Sequence, residues 1–428
     1  MASIVGAACQ PLQPDDFPAG SNAAAAGPGQ ASSPARTSIE ANGIPAAAPG
    51  NTAEVPGSSG PLVALLVPLS GRQEALGTAV RDGCVAALLE APASRRFDVM
   101  IIDEARVSAA EAHRQALDAG ARALVGPLLK ESVQALAPLA GQLARTMPGQ
   151  MPVLALNNLA DTDPVAGNLW QFGLAPEDEA REIAARATAL GQRRAIVLLP
   201  ANEWGQRLLV AFTAEFTLRG GVVVDTRTYL PGAADYTVPI RSLLMTTEPR
   251  PITPDSAVNP DEKPALGPGR RQDVDLIFVA TNSSNGRQIV PQLKFFGAAD
   301  LPTYSTSAIW EDGAGDADDL NGVVFPDSPW VIDPDGRALA IKAGLVRHWG
   351  RSALGVSRLY ALGYDACQLL PEIQRQAAPG PFSGGELAGA TGMLYADTAG
   401  RIHRRLPFAE VRGGRAVPLP AVTTMGGL

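Results

Sequence analysis

The chain has 428 residues and a formal net charge of −8, and hydrophobic residues make up 46% of it. This length allows two domains with sizeable cores, and the acidic balance argues against nucleic acid as a partner. No stretch reaches the roughly 20 apolar residues of a membrane span. Cofactors and metals are not expected either, because the sequence has no phosphate-binding loop, no CxxC pair and no zinc spacing.

The N-terminal segment, residues 1–60, lacks the composition of a folded domain. Small residues precede Cys9, as at the end of a lipoprotein signal, but the positively charged start of such a signal is missing. Two interpretations stay open: a truncated lipoprotein signal with Cys9 as the lipidation site, or an ordinary disordered N-terminus with a chance cysteine. Residues 10–60 are rich in Ala, Pro, Gly and Ser and predict a flexible tether.

A regular alternation of strands and helices begins at Leu62. Short apolar runs are typical of buried parallel strands, and amphipathic stretches near 74–90, 108–119 and 129–145 lie between them. The predicted strands are Leu62–Val67, Asp98–Ile102, Ala123–Val125 and Val153–Leu156. This order predicts an α/β layer with a parallel sheet.

The alternation pauses over residues 157–176 and resumes at Pro176, which opens a helix with acids in its first turn. Strands follow near 195–199, 222–225, 276–280 and 303–305, separated by helices near 205–219, 236–246 and 286–296. Residues 247–272 are dense in proline and charge and predict an exposed insertion. Further helices are expected at 336–349 and 357–377, and hairpins after residue 386.

Polar residues follow several of the predicted strands, where an α/β fold binds its ligands. They suit binding by hydroxyl groups and helix amides better than catalysis, because no base can be assigned to Ser70. We therefore predict a binding cleft between two sheets, with the alternative that these are ordinary turn and capping residues. The candidates are Ser70, Gly71, Gly126, Pro127, Asn157, Asn158, Asn202, Trp204, Thr281, Asn282, Ser307 and Trp310.

Other reactive side chains give weaker signals. Cys84 and Cys367 lie on helical patterns and are expected to be buried thiols, although a disulfide between them stays open. The histidines at 113, 348 and 403 are far apart and are expected at the surface. The same holds for the basic pairs Arg270-Arg271 and Arg404-Arg405.

Three stretches resemble type I periplasmic binding proteins of the Leu/Ile/Val-binding class: Val63–Gly71, Ala123–Leu128 and Tyr360–Ala366. The resemblance implies a two-lobed fold in which each lobe is a parallel sheet flanked by helices. It places residues 61–170 in lobe 1, 171–325 in lobe 2 and 326–385 back in lobe 1. The C-terminal hairpins, 386–428, are expected on lobe 2.

More specific stretches are similar to the LppC/LpoA family of penicillin-binding protein activators: Arg270–Ala280, Lys294–Ser307, Asp319–Trp330 and Gly400–Phe408. The resemblance implies a non-enzymatic periplasmic lipoprotein, anchored to the inner leaflet of the outer membrane by lipid alone. Its partner would be a class A penicillin-binding protein, a peptidoglycan synthase.

The alternative is a solute receptor of an ABC transporter that binds an amino-acid-like or muropeptide ligand. In amino-acid receptors of this class, Ser70 would match the loop that holds the ligand carboxylate. A tyrosine usually stands at the position of Trp204, so we expect its indole to fill the cleft. The hinge or the outer surface would then matter more than a captured solute.

Overall fold

The computed structural model describes residues 60–92, 97–146, 151–159, 167–245, 270–312, 317–349, 351–376 and 378–422. The predicted tether with Cys9 and the predicted insertion up to residue 269 lie outside the described residues. Among the residues that are described, none of the helices has the length and apolar character needed to cross a membrane.

The first lobe begins with the predicted alternation. Its elements are β1 (Leu62–Val67), α1 (Glu74–Glu90), β2 (Asp98–Asp103), α2 (Ala109–Asp118), β3 (Leu124–Val125), α3 (Lys130–Thr146), β4 (Val153–Ala155) and β5 (Leu169–Phe172). Strand β5 lies in the stretch that was predicted as a pause, and that prediction is wrong. Its four residues are all buried, but the polar residue Gln171 interrupts the short apolar run by which the other buried strands were predicted.

The second lobe follows the same pattern. Its elements are α4 (Pro176–Ala189), β6 (Arg194–Pro200), α5 (Glu203–Leu218), β7 (Val222–Tyr229), α6 (Thr237–Leu244), β8 (Leu276–Val279), α7 (Ser283–Leu293), β9 (Thr303–Tyr304) and β10 (Val323–Pro326). Proline at the first position of α4 and three acids in its first turn fit a helix N-terminus.

The chain then returns to the first lobe with three helices and ends in short strands. These are α8 (Pro329–Ile332), α9 (Gly336–Trp349), α10 (Ser357–Arg375), β11 (Leu387–Ala388), β12 (Met393–Ala396), β13 (Arg401–Arg405), β14 (Phe408–Arg412) and β15 (Arg415–Leu419).

Two mixed sheets form the centres of the lobes. The first has the order β11-β12-β13-β5-β4-β3-β1-β2, and the second has the order β15-β14-β10-β9-β8-β6-β7. Strands β13 through β2 run parallel in the first sheet, and β10 through β7 run parallel in the second. The two-lobed α/β fold is thus confirmed, with antiparallel strands added at one end of each sheet.

The C-terminal strands divide between the lobes. The expectation that residues 386–428 lie on lobe 2 is wrong for β11 to β13, which join the first sheet, and right for β14 and β15. Hairpin patterns identify which strands pair with each other, but they do not identify the sheet that the pair extends. The chain therefore passes between the lobes three times: after β5, after β10 and after β13.

Helices α1 and α10 pack together closely in the first lobe. A Cβ atom added to Gly83 would lie 1.9 Å from the carbonyl oxygen of Tyr360, and one added to Gly363 would lie 2.0 Å from that of Val80. Next to this crossing, Cys84 and Cys367 form a disulfide. The expectation of two separate buried thiols is therefore wrong, because a sequence separation of 283 residues conceals the proximity.

We predict that Gly363→Ala destabilises the protein. The added methyl group would overlap the backbone of α1, and such overpacking typically costs about 1–3 kcal/mol. Chemical denaturation would measure the change in the free energy of unfolding. Gly344→Ala in α9 is the matched control, because nothing lies within 4 Å of its added methyl group. The control should be neutral or stabilise by up to about 1 kcal/mol; equal effects of the two substitutions would contradict the proposed close contact.

Candidate functional site

The predicted cleft residues lie at the carboxyl ends of strands that are neighbours in each sheet. Ser70 and Gly71 follow β1, Gly126 and Pro127 follow β3, and Asn157 and Asn158 lie just beyond β4. In the second lobe, the candidates follow β6, β8 and β9, which also lie side by side; they are Asn202, Trp204, Thr281, Asn282, Ser307 and Trp310. Each set thus shares one sheet edge, and a ligand-binding role for the twelve residues stays a prediction.

The corner after β1 is built around a carboxylate. The Ser70 hydroxyl donates a 2.7 Å hydrogen bond to Asp103 at the end of β2, and the backbone amide of Leu69 donates another of 2.7 Å. Partial burial acts to raise the pKa of Asp103, but these hydrogen bonds, a third from Ala105 and the charge of Arg106 lower it. Asp103 is therefore held as an anion at the corner where a ligand carboxylate was expected.

A second carboxylate occupies the corner after β3. Gly126 has a φ of 100°, and a Cβ there would lie 2.0 Å from the Leu66 carbonyl oxygen. The amides of Leu128 and Leu129, just before α3, donate hydrogen bonds of 2.9 and 3.0 Å to Glu104. Amides at a helix N-terminus attract anions, so the side chain of Glu104 takes the place that a ligand anion would use.

The electrostatics of Glu104 reflect its burial. Only 7% of the residue is exposed, and desolvation raises its pKa to about 7, although hydrogen bonds from Leu128, Leu129 and Ser132 oppose the shift. Asn157 completes this corner by donating a 3.0 Å hydrogen bond to the Leu128 carbonyl.

Four of the second-lobe candidates have local structural contacts. Asn202 caps α5 by accepting a 2.9 Å hydrogen bond from the Gly205 amide, and Asn282 caps α7 in the same way. Trp204 is half-buried against the apolar cluster between α4, α5 and the second sheet, and Thr281 is fully buried. These contacts agree with the alternative that such residues serve turns and caps.

Ser307 binds α4 of its own lobe, whereas Trp310 contacts the other lobe. The Ser307 amide and hydroxyl donate hydrogen bonds of 2.7 and 2.8 Å to Glu179 in α4. The guanidinium of Arg358, in α10 of the first lobe, donates a 3.0 Å hydrogen bond to the Trp310 carbonyl. The Trp310 ring stacks on Phe325 with centroids 5.8 Å apart. Loop 307–312 of the second lobe therefore lies against the first lobe.

Acids of α4 face cations of β13, and the sequence did not suggest this contact. Asp178 lies 3.0 Å from the Nδ1 atom of His403, and Glu179 lies 4.0 Å from Arg404. Burial acts to lower the pKa of His403, but hydrogen bonds and charge from Asp178 and Asp397 outweigh it, and the pKa is raised. Burial raises the pKa of Glu179 to about 7. The expectation of a surface position is wrong for Arg404, which is 3% exposed, and for His113, which is 6% exposed; the His403 side chain is 21% exposed.

The described residues bring no group of three or more His, Cys, Asp or Glu side chains into an arrangement that could hold a metal ion. Their functional chemistry is one of paired charges and capped helix ends. This chemistry positions the two lobes and fills the corners at the strand ends.

Comparison with known proteins identifies relatives of this chain. The family model described as LppC putative lipoprotein matches residues 59–414. The penicillin-binding protein activator LpoA of Vibrio antiquarius is 28% identical over 359 residues, which cover 81% of this chain and 56% of that protein. The chain thus spans about half the length of the curated relatives it matches.

Two solved structures show the kind of fold that this chain adopts. The C-terminal domain of LpoA from Haemophilus influenzae, described as a regulator of PBP1A, is 25% identical with a TM-score of 0.65, covering 84% of this chain and all of that one. A putative branched-chain amino acid ABC transporter protein from Chromobacterium violaceum has a TM-score of 0.59 at 21% identity, covering 82% of this chain and all of that one. The latter likeness shows the fold alone.

We predict that Glu104 makes stability depend on pH. An ordinary glutamate releases its proton near pH 4.5, whereas buried Glu104 has a pKa of about 7. The stabilisation that the protonated Glu104 side chain gives the folded state is therefore fully present below pH 4.5. It is lost as the pH rises through 7. One proton corresponds to a fall of about 1.4 kcal/mol per pH unit in the free energy of unfolding. Denaturant unfolding at several pH values between 5 and 7 measures this change. In Glu104→Gln, the free energy of unfolding should lack this part of its pH dependence.

Glu203→Gln is the matched control, because Glu203 also lies beside a helix N-terminus but is exposed. This control should keep the wild-type slope. An unchanged slope in Glu104→Gln would show that the buried proton is not at this carboxyl group.

Proposed function

Because this chain belongs to the LppC putative lipoprotein family, we propose that it is a non-enzymatic periplasmic lipoprotein that binds and activates a class A penicillin-binding protein. In this role it would stimulate the synthase during peptidoglycan assembly. The regulator would act by contact, without chemistry of its own.

One observation carries the proposal. The two-lobed body matches the whole C-terminal domain of the Haemophilus influenzae LpoA, which is described as a regulator of PBP1A. The curated relatives that share this region are named penicillin-binding protein activators. These likenesses support a regulatory role for the part of the relatives that this chain spans.

The chemistry of the strand ends supports the same role over that of a solute receptor. An amino-acid receptor needs free donors for the carboxylate of its ligand. Here the Ser70 hydroxyl donates to Asp103, and the amides before α3 donate to Glu104. A ligand carboxylate at the first corner would meet the charge of Asp103, which repels it.

The disulfide supports a periplasmic location. Disulfides persist in oxidising compartments such as the bacterial periplasm and are rare in the cytosol. The bond between Cys84 and Cys367 lies inside the first lobe, where both residues are at most 3% exposed. We propose that the protein matures in the periplasm and is attached through Cys9 to the inner leaflet of the outer membrane.

The function can be tested with purified components. We expect the protein to bind its cognate class A synthase and to increase the rate of glycan polymerisation or cross-linking on a lipid-linked precursor. A branched-chain amino acid receptor with the same fold, at the same concentration, is the control and should have no effect.

The receptor alternative predicts the opposite pattern. Amino acids or muropeptides would raise the temperature of unfolding by mass action, while the synthase would be neither bound nor stimulated. That combination would overturn the proposed function.

The lipid anchor gives a separate prediction. We expect the protein expressed from its own gene to fractionate with the outer membrane, and Cys9→Ser to release it into the soluble periplasmic fraction. The double substitution Cys84→Ala and Cys367→Ala is the matched control, because it removes two cysteines of the described body and leaves Cys9. Membrane association that survives Cys9→Ser would rule out this anchor.

A further inference from the structure

A polar bridge joins the two lobes beside the crossovers of the chain. Asp312, at the end of loop 307–312 in the second lobe, accepts a hydrogen bond of 2.9 Å from Ser357 of α10 and forms a 2.8 Å ion pair with Lys342 of α9. Both helices belong to the first lobe. The side chains of Asp312 and Lys342 are only 14% and 12% exposed, so water screens this pair weakly.

Arg358 forms the second part of the bridge. Its Nε atom lies 3.0 and 3.1 Å from the two carboxylate oxygens of Asp327, which follows β10 at the second crossover. Its Nη2 atom also donates to the Trp310 carbonyl. Asp327 is 3% exposed, so the guanidinium joins α10, the crossover and the loop of the second lobe at one buried point.

Apolar contacts enclose these charges. The Trp310 ring packs against the second-lobe cluster that contains Phe325 and also against the first-lobe cluster that contains Trp330 and Tyr360. Lys342 lies above the Trp330 ring at 5.9 Å from its centroid. A rotation that separated loop 307–312 from α9 and α10 would expose these rings and strip Asp312 of two partners at once.

We propose that this bridge locks the two lobes at one angle, so that the body is a rigid platform and not a clamshell that opens and closes. Solute receptors of two-lobed form close around ligands by hinge motion. Such motion requires two states of similar free energy, whereas here the open state would separate Asp312 from Lys342 and Ser357 and expose the apolar rings beside them. This rigidity does not depend on the identity of the proposed partner.

The lobe angle can be measured by pulsed electron paramagnetic resonance on the full chain. Spin labels would be placed at Leu89→Cys in α1 and Val238→Cys in α6, positions that are 72% and 78% exposed, in a Cys9→Ser background. We expect one narrow distance in the wild-type body. In Lys342→Met, which keeps an apolar side chain beside Trp330, we expect a second population at a different distance. Loss of a buried pair should raise the ratio of displaced to locked lobes by roughly two orders of magnitude.

Arg337→Met is the matched control. Arg337 lies in the same helix, lies over the ring of Tyr364 and pairs with Glu90 at 2.6 Å, but this pair stays within the first lobe. The control should keep the narrow distance. Asp312→Asn tests the other half of the pair and should behave as Lys342→Met does, with circular dichroism confirming that each variant is folded. A broad distribution in the wild type, or a narrow unchanged one in both bridge variants, would overturn the proposal.

Discussion

Helices α1 and α10 touch backbone to backbone at Gly83 and Gly363, beside the disulfide between Cys84 and Cys367. The first lobe depends on this contact, because its N-terminal strands do not complete their own core. The apolar cluster on this side of the first sheet combines residues of β1 with residues of α10 and β13. The chain must therefore build the second lobe and return before the first is closed. The crossovers are then fixed at both ends, which ties the position of one lobe to the other.

At the strand ends, too, parts of the chain bind each other. The hydrogen-bond donors there bind carboxylates of the same chain. Asp103, Glu104 and Glu179 accept hydrogen bonds from groups that a receptor would offer to a solute. Burying a carboxylate raises its free energy unless donors surround it. The hydrogen bonds that would otherwise stabilise a bound ligand therefore already stabilise the folded state. The polar groups at these corners are thus paired with other groups of the chain itself.

Local patterns predicted most of the helices and strands because strands such as β1 and β6 are continuous apolar runs and helices such as α4 begin with proline and acids. The caps at Asn202 and Asn282 also follow from local sequence. What could not be predicted depends on distant neighbours. His403 meets Asp178 across 225 residues, and the disulfide spans 283. The prediction missed strand β5 for a local reason, because Gln171 interrupts its short apolar run.

The acids of α4 show why local reasoning was incomplete even where it was right. Asp178 and Glu179 lie in the first turn, where negative charge stabilises a helix N-terminus. The same side chains reach His403 and Ser307, which belong to different lobes. A residue that satisfies a local rule gives no sequence signal of a second contact. Because these acids serve both the helix and the joint between lobes, a change in lobe angle would also disturb the start of α4. That coupling favours a body that presents one constant surface to a partner.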